Sequence, residues 1–368
     1  MKKTQNRYSP TLLAFLSVAI AVFGCLVFLE LLFQVLPVRS GLNAQLVSAA
    51  QPVFRFEPNR TAMFSKNWNL ALANPVRTNN AGFVNLQDYD ATARTPLLAV
   101  VGDSYIEAAM VPEADTVHAR LQRHYGDARR VYSFAASGAG LAQYLAWIRF
   151  ARDTYQPDRL LVTIISNDFS ETLWSRERNP GFHGFRRDPQ KGWSMELAPF
   201  EPSQRRKFFR KSALVRYLVL NLQALDFARS GFFAAASEQR WVANVAAQVD
   251  EAFFDEALWA TEIFLDAIPE YAGLSRDKIV FAIDGVRPQV YAGRSLEAIA
   301  DTFWVRMRDA FIAQARARGH EVVDLQDAFA EDYARNARHF EFEIDSHWNS
   351  EGHRVLFEQA SAMRALAR

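Results

Sequence analysis

Apolar residues recur along this chain in two rhythms. Short runs such as "LLAVVGD" (97–103), "RRVYSFAAS" (129–137), "DRLLVTIISND" (158–168), "DKIVFAIDG" (277–285) and "HEVVDLQD" (320–327) are too brief for core helices and end in turn residues. They predict five buried strands. Between them, apolar positions return every three or four residues. In "DTVHARLQRHYG", Val117, Leu121 and Tyr125 share one helical face and Gly126 ends it. "LAQYLAWIRFARDTY" and "RSLEAIADTFWVRMRDAFIAQARARG" read as amphipathic helices. A closing helix, "NSEGHRVLFEQASAMRALA", opens on an Asn or Ser cap. "SYIEAAM", after the first strand, reads as a helix or turn. Strands alternating with helices predict an α/β fold with a parallel sheet covered on both faces.

The gap between the third and fourth strands is too long for one crossover, so residues from about 170 to 273 read as an insertion. It begins with a hairpin, "GFHGFRRDPQKGWSMEL", and continues as helices at "SQRRKFFRKSALVRYLVLNLQAL" and "EQRWVANVAAQVDEAFFDEALWATEIFLDAI". Residues 40–95 read as a linker and entry segment, with short strands or turns around "PVFRFEPN" and "VRTNNAGFVN".

The first 39 residues follow a third pattern. Lys2, Lys3 and Arg7 precede an apolar segment with no charge from Leu12 to Leu29, interrupted only by Glu30 and Gln34 before Val38. A bilayer core of about 30 Å needs roughly 20 apolar residues, whereas a secretory h-region has about 7–15. The expectation is an uncleaved, single-pass signal anchor in a bacterial-type cytoplasmic membrane. Its amino terminus is inside and residues 40–368 are on the periplasmic side. "VFGC" loosely matches a lipoprotein cleavage site, but Phe23 fits such a site poorly and the apolar run continues past Cys25.

Composition narrows the possibilities. A net charge of +1 over 368 residues argues against a dedicated nucleic-acid binder. Cys25 is the lone cysteine, which excludes an intrachain disulfide and a cysteine-based metal site. The basic cluster "RRKFFRK" (205–211) reads first as a solvated helix face and second as a contact for anionic lipid heads or an acidic polysaccharide. Phe182, Phe185, Trp193 and Trp174 in the insertion either stack on sugars or fill its own small core.

Three strands end in polar triplets: Gly-Asp-Ser (102–104), Ala-Ser-Gly (136–138) and Ser-Asn-Asp (166–168). Parallel strands share one carboxyl-terminal rim, where ligands bind. There Ser104, at a strand-to-helix turn, would offer a hydroxyl and a backbone N–H. Gly138 would let the backbone approach closely, and Asn167 would offer a side-chain N–H. Together they would form an oxyanion hole. A serine nucleophile needs a base. His118, His124 and His353 lie in predicted helices, His183 in the insertion, His320 at the opposite rim and His339 in a polar stretch. His353 reads as a cap or surface residue, and Trp348 as core or pocket wall. Only His347, in "EIDSHWNSEGH" after the fifth strand, opens on the rim of Ser104, with Asp345 two residues before it. "GAGLAQ" at Gly138 hints at a dinucleotide loop but lacks the third glycine and follows the second strand.

"GDS", "SG", "ND" and "DSHWN..GH", in that order, resemble the four blocks of SGNH hydrolases, also called GDSL esterases. The resemblance runs from about Asn79 to the end, outside the insertion. It implies a flavodoxin-like three-layer sandwich with no metal or organic cofactor. Ser104 would be nucleophile and oxyanion donor, Gly138 and Asn167 the other donors, His347 the base and Asp345 its partner. "RTNNAGF" also resembles a segment of exported members. Tyr105 stands where the family name has Leu, and Ser166 where the third block has Gly. The acid precedes His347 by two residues rather than three, a spacing similar to the SGNH-like domain of alginate O-acetyltransferases. The expected function is a serine esterase for acyl or O-acetyl esters, glycan-linked ones among them. Acetyl transfer to an extracytoplasmic polysaccharide and non-catalytic polymer binding are the alternatives. No nucleic-acid partner is expected, and the sequence carries no sign of oligomeric state.

Overall fold

The computed structural model describes residues 9–224 and 240–366. Lys2, Lys3 and Arg7, and the ends of two expected insertion helices at Leu225 and at 238–239, lie outside the described residues. The chain divides into two compact units.

The described part of the smaller unit comprises residues 9–41, 63–73 and 203–224. Its main element is α1, Pro10–Val35, whose most apolar 18 residues have a mean hydropathy of 2.8 and which has no buried residue. An exposed apolar helix this long fits a signal anchor or a signal peptide.

The larger unit holds a five-stranded parallel sheet: β1 (Leu97–Gly102), β2 (Arg130–Ala135), β3 (Arg159–Ile164), β4 (Ile279–Ile283) and β5 (Glu321–Asp324). Their spatial order is β5-β4-β3-β1-β2, the flavodoxin-like doubly wound order. The expected α/β sandwich is therefore the observed fold. Because side chains alternate, each strand feeds two cores. Leu97, Ala99 and Val101 of β1 face one core with α3 (Leu141–Tyr155), α4 (Glu251–Ala272) and α5 (Phe303–Ala317). Leu98 and Val100 face the other, with α2 (Val117–Tyr125), α6 (Leu325–Asn336) and α7 (Ser350–Ala362).

The helix expected from Ser203 breaks after Phe209 and restarts at Ala213, after the extended Ser212, and three further expectations need correction. The stretch read as one helix from Glu238 instead forms a small hairpin, Trp241–Val242 against Val245–Ala246, and only then α4. Asp250 caps α4 by accepting from the Phe253 N–H at 2.7 Å. Secondly, α4 is a crossover helix. Ala257, Ala260, Phe264, Leu265 and Ile268 lie in the main core, so the segment set aside as an insertion contains the β3-to-β4 connection. Thirdly, the helix read from Arg294 is broken. A short 3-10 turn, Leu296–Ile299, precedes α5, and Thr302 Oγ1 donates to Ile299 O between them. The expected hairpin is present as His183–Asp188 paired with Gly192–Leu197. Its Phe182 and Phe185 are core residues, which resolves their reading in favour of packing.

Candidate active site

The sheet fixes the location. The connection from β1 to β2 runs over one face and that from β2 to β3 over the other, so β1 and β3 flank the switch point of the sheet. Gly102, Asp103 and Ser104 leave β1 there, and Ser166, Asn167 and Asp168 leave β3. Asp103 ends the strand by capping a single helical turn, Ser104–Glu107, accepting from the Tyr105 N–H at 2.9 Å. Ser104 is thereby held at the first position of that turn.

His347 reaches Ser104 from the short strand Asp345–Trp348, which pairs with Glu341–Phe342. Its Nε2 lies 2.8 Å from Ser104 Oγ. Asp345 Oδ1 accepts from the His347 backbone N–H at 3.0 Å and also meets ring Nδ1. A carboxylate on Nδ1 leaves Nε2 as the acceptor that faces the serine hydroxyl. The two-residue spacing works because one carboxylate oxygen satisfies both the backbone and the ring of His347. The Asp345 side chain is 3 % exposed and that of His347 22 %. The acid is thus shielded while the imidazole stays open to the rim.

The other flank of Ser104 is acidic. Asp103 Oδ2 lies 3.2 Å from Ser104 Oγ and accepts from Asn167 Nδ2 at 3.3 Å. Asn167 Nδ2 also donates to Glu171 Oε2 at 3.0 Å. Asp168 takes the Tyr144 hydroxyl at 2.6 Å and the Ile165 N–H at 2.7 Å, a structural role. Burial raises the carboxyl pKa of Asp103 and, well above its usual range, that of Asp168. Burial, reinforced by the charge of Asp103, pushes Glu171 up to about 9. Glu171 is therefore a neutral acid at pH 7, and its carbonyl-type oxygen accepts from Asn167.

Gly138 has φ +85°, a conformation that favours glycine, and its carbonyl accepts from Asn179 Nδ2 at 3.0 Å. Gly140 is needed for close approach: a Cβ there would lie 2.7 Å from Asp168 O and from Thr172 N. "GAGLAQ" thus brings the β2 loop onto the β3 loop, a packing role in place of the dinucleotide reading. Glu107 joins the first and second loops as well, accepting from Ser137 N–H at 2.5 Å and Ser137 Oγ at 2.7 Å.

The other histidines are placed elsewhere. His353 is fully buried, which corrects the cap-or-surface reading. Its Nδ1 accepts from the Val117 N–H at 3.2 Å, and burial lowers its pKa to about 3, so it packs as a neutral ring. His320 is buried near Ile279 O, and His183 is buried beside Gln143. Trp348 is wholly buried, donating Nε1–H to Asp284 at 3.0 Å, and so belongs to the core.

Two residues of this site escaped the sequence reading. Asn244, in the turn of the 241–246 hairpin, donates Nδ2–H to Tyr105 Oη at 3.0 Å and accepts the Ser346 hydroxyl at 2.8 Å. Its backbone N–H reaches Ser166 Oγ at 3.3 Å. Tyr105, Ser166 and Ser346, the residue between Asp345 and His347, therefore share one partner. Arg287 is the second. Its Nη1 donates to both oxygens of Asp284, and Nη2 donates to Ser346 O at 2.6 Å and Tyr105 Oη at 3.3 Å. The Tyr105 hydroxyl also donates to Ser346 O at 3.0 Å. Burial raises Tyr105 to about 12, so it remains a neutral phenol there. These bonds pin the peptide that carries His347.

No family model matches the chain, and no curated protein sequence matches it. Among solved structures it is similar to the lipase Lip_vut3 from a goat rumen metagenome, at 13 % identity and a TM-score of 0.40, covering 74 % of this chain and 98 % of that one. A member of the lipolytic protein G-D-S-L family from Veillonella parvula is similar at 12 % identity and a TM-score of 0.37, covering 72 % of this chain and 96 % of that one. A lipase/acylhydrolase from Enterococcus faecalis is similar at 12 % identity and a TM-score of 0.36, covering 72 % and 93 %.

Proposed function

We propose that this chain is a membrane-anchored serine esterase. It acts on acyl or O-acetyl esters, those of cell-envelope carbohydrate included, on the extracytoplasmic side of the membrane. The observation that carries the reading is the 2.8 Å separation of Ser104 Oγ and His347 Nε2, with Asp345 behind the ring. In this mechanism His347 Nε2 takes the Ser104 proton as Oγ attacks the ester carbonyl, and Asp345 stabilises the imidazolium. The oxyanion is held by the Ser104 N–H, the Gly138 N–H and the Asn167 amide, which gives up its 3.3 Å contact with Asp103 to do so. Collapse expels the alcohol, protonated by His347. Water, deprotonated by the same nitrogen, then attacks the acyl carbonyl and frees Ser104.

The test is a fluorophosphonate probe on the full chain in detergent, followed by peptide mapping, alongside hydrolysis of a short nitrophenyl ester. Labelling at Ser104 and hydrolysis that disappears in Ser104→Ala are expected. A folded protein that neither labels nor hydrolyses would be a binding module. Acetylated oligosaccharide as the main product would make it a transferase.

A further inference from the structure

The smaller unit contains a surface that the esterase reading does not use. Residues 203–211 are exposed throughout, including Phe208 and Phe209 at 69 % and 57 %. Five cations and no carboxylate fall between residues 205 and 211. Ser203 caps the short helix Gln204–Phe209, its side chain accepting from the Arg206 N–H.

Its level along α1 can be read from bonds inside the unit. Glu30 of α1 accepts from the Ser212 hydroxyl at 2.6 Å, the Ala213 N–H at 2.9 Å and the Leu214 N–H at 3.0 Å. One turn further on, Phe33 stacks on Tyr217 at 4.1 Å. Beyond the helix, the Arg39 N–H donates to Asn221 Oδ1 at 3.0 Å. Residues 212 to 221 thus rise beside residues 30 to 39 in the same direction, and residues 203–211 lie before that rise. From Pro10 to Glu30 is about 30 Å of helix at 1.5 Å per residue, the thickness of a bilayer core. Glu30 then marks the hydrocarbon boundary, and the Phe-Phe pair with its cations arrives at that boundary. Aromatic rings and cations together suit the headgroup layer, where rings enter the acyl margin and cations meet lipid phosphates.

We propose that residues 203–211 bind the surface of the membrane that α1 crosses, with Phe208 and Phe209 in the acyl margin and Arg205, Arg206 and Lys211 on anionic headgroups. The proposal rests on α1 being a retained membrane span. The capping of Ala213–Arg216 by Glu30 fits retention, because removing α1 would strip those two N–H groups of their acceptor.

The test uses the full chain with Cys25→Ser, a nitroxide at Phe208→Cys, and reconstitution into phosphatidylcholine vesicles with and without phosphatidylglycerol. In anionic vesicles the label should collide several-fold more with oxygen than with a water-soluble nickel chelate. That preference should fall in pure phosphatidylcholine and in R205E/R206E/K211E. A label at Phe209→Cys guards against the loss of one ring. Nickel access at 208 in anionic vesicles, burial indifferent to phosphatidylglycerol, or protection only on adding an acidic polysaccharide overturns the proposal. A label at Phe15→Cys separates the two readings. Oxygen at 15 with nickel at 208 leaves the anchor standing, while nickel at both removes the anchor as well.

Discussion

The two flanks of Ser104 treat carboxylates in opposite ways. On one flank Asp345 is shielded but paired with an imidazole, a group able to carry positive charge. On the other, Asp103 and Glu171 meet the Asn167 amide, and burial together with the charge of Asp103 favours the neutral form of Glu171. The difference follows the charge that the proposed reaction develops. Positive charge grows on His347, where a carboxylate stabilises it. Negative charge grows near Asn167, where an ionised carboxylate would repel it. The same residue type serves both sides because its surroundings set its protonation.

The largest test removes the pivot between the flanks. Ser104→Ala should lower ester hydrolysis by at least ~10⁴-fold, since nucleophile removal leaves only binding and oxyanion contributions. The thermal midpoint should stay close to that of the parent, because the hydroxyl leaves an alanine within the same helical turn. Next, Asp345→Asn should cost roughly 10²–10⁴-fold, mainly in kcat, because the neutral amide no longer stabilises an imidazolium. If that variant retained near-parental kcat, the contrast between the flanks would collapse.

A smaller effect tests the hub that joins them. Asn244→Ala deletes one bond donated to Tyr105 and one accepted from Ser346. At about 0.5–1.5 kcal/mol per bond, a loss of roughly 1–3 kcal/mol is expected if both bonds count. If Asn244 positions His347, kcat should fall about tenfold with KM little changed, and the pH profile of kcat should shift. Asn244→Asp keeps the acceptor for Ser346 and should recover part of the rate. A purely structural residue would change the midpoint and leave the pH profile alone.

That hub shows where legibility ended. The five strands and their polar ends are legible because short apolar runs stop at residues that favour turns. Ser104, Gly138 and Asn167 each sit beside such a stop, and His347 just before the Asn349 cap of the closing helix. Asn244 was hidden because Trp241, Val242 and Val245 also fit a helical spacing. What decides the hairpin is the φ of +53° at Ala243, which sequence periodicity does not register. The crossover helix α4 was set aside for a related reason. Its apolar stripe shows that one face is buried but not whether the sheet or a separate cap buries it. The inward position of His353 is not legible because a polar side chain on a helix gives no sign of facing the core, where Nδ1 accepts the Val117 N–H.

The smallest effect is confined to one pH window. In the unfolded chain Glu171 titrates near its ordinary value of about 4.5, and in the folded chain near 9. Below 4.5 both states hold the proton and it makes no difference. As pH rises from there the unfolded state gives up its proton first, so it binds fewer protons than the native state and stability falls. The fall continues until the native group also ionises near 9. Glu171→Gln keeps an acceptor for Asn167 and does not titrate, so it should escape this loss. Unfolding free energies from denaturant titration should match the parent near pH 4 and exceed it at pH 8 by more than about 1 kcal/mol, the equivalent of roughly one pKa unit. Activity at pH 7 should barely change, since the parent side chain is already neutral there. Above pH 9 the parent should lose rate as Glu171 ionises beside the oxyanion donor, and the variant should hold it. Parallel stability curves for the two proteins would mean that Glu171 is charged in the native state, and the contrast between the two flanks would then lose its second half.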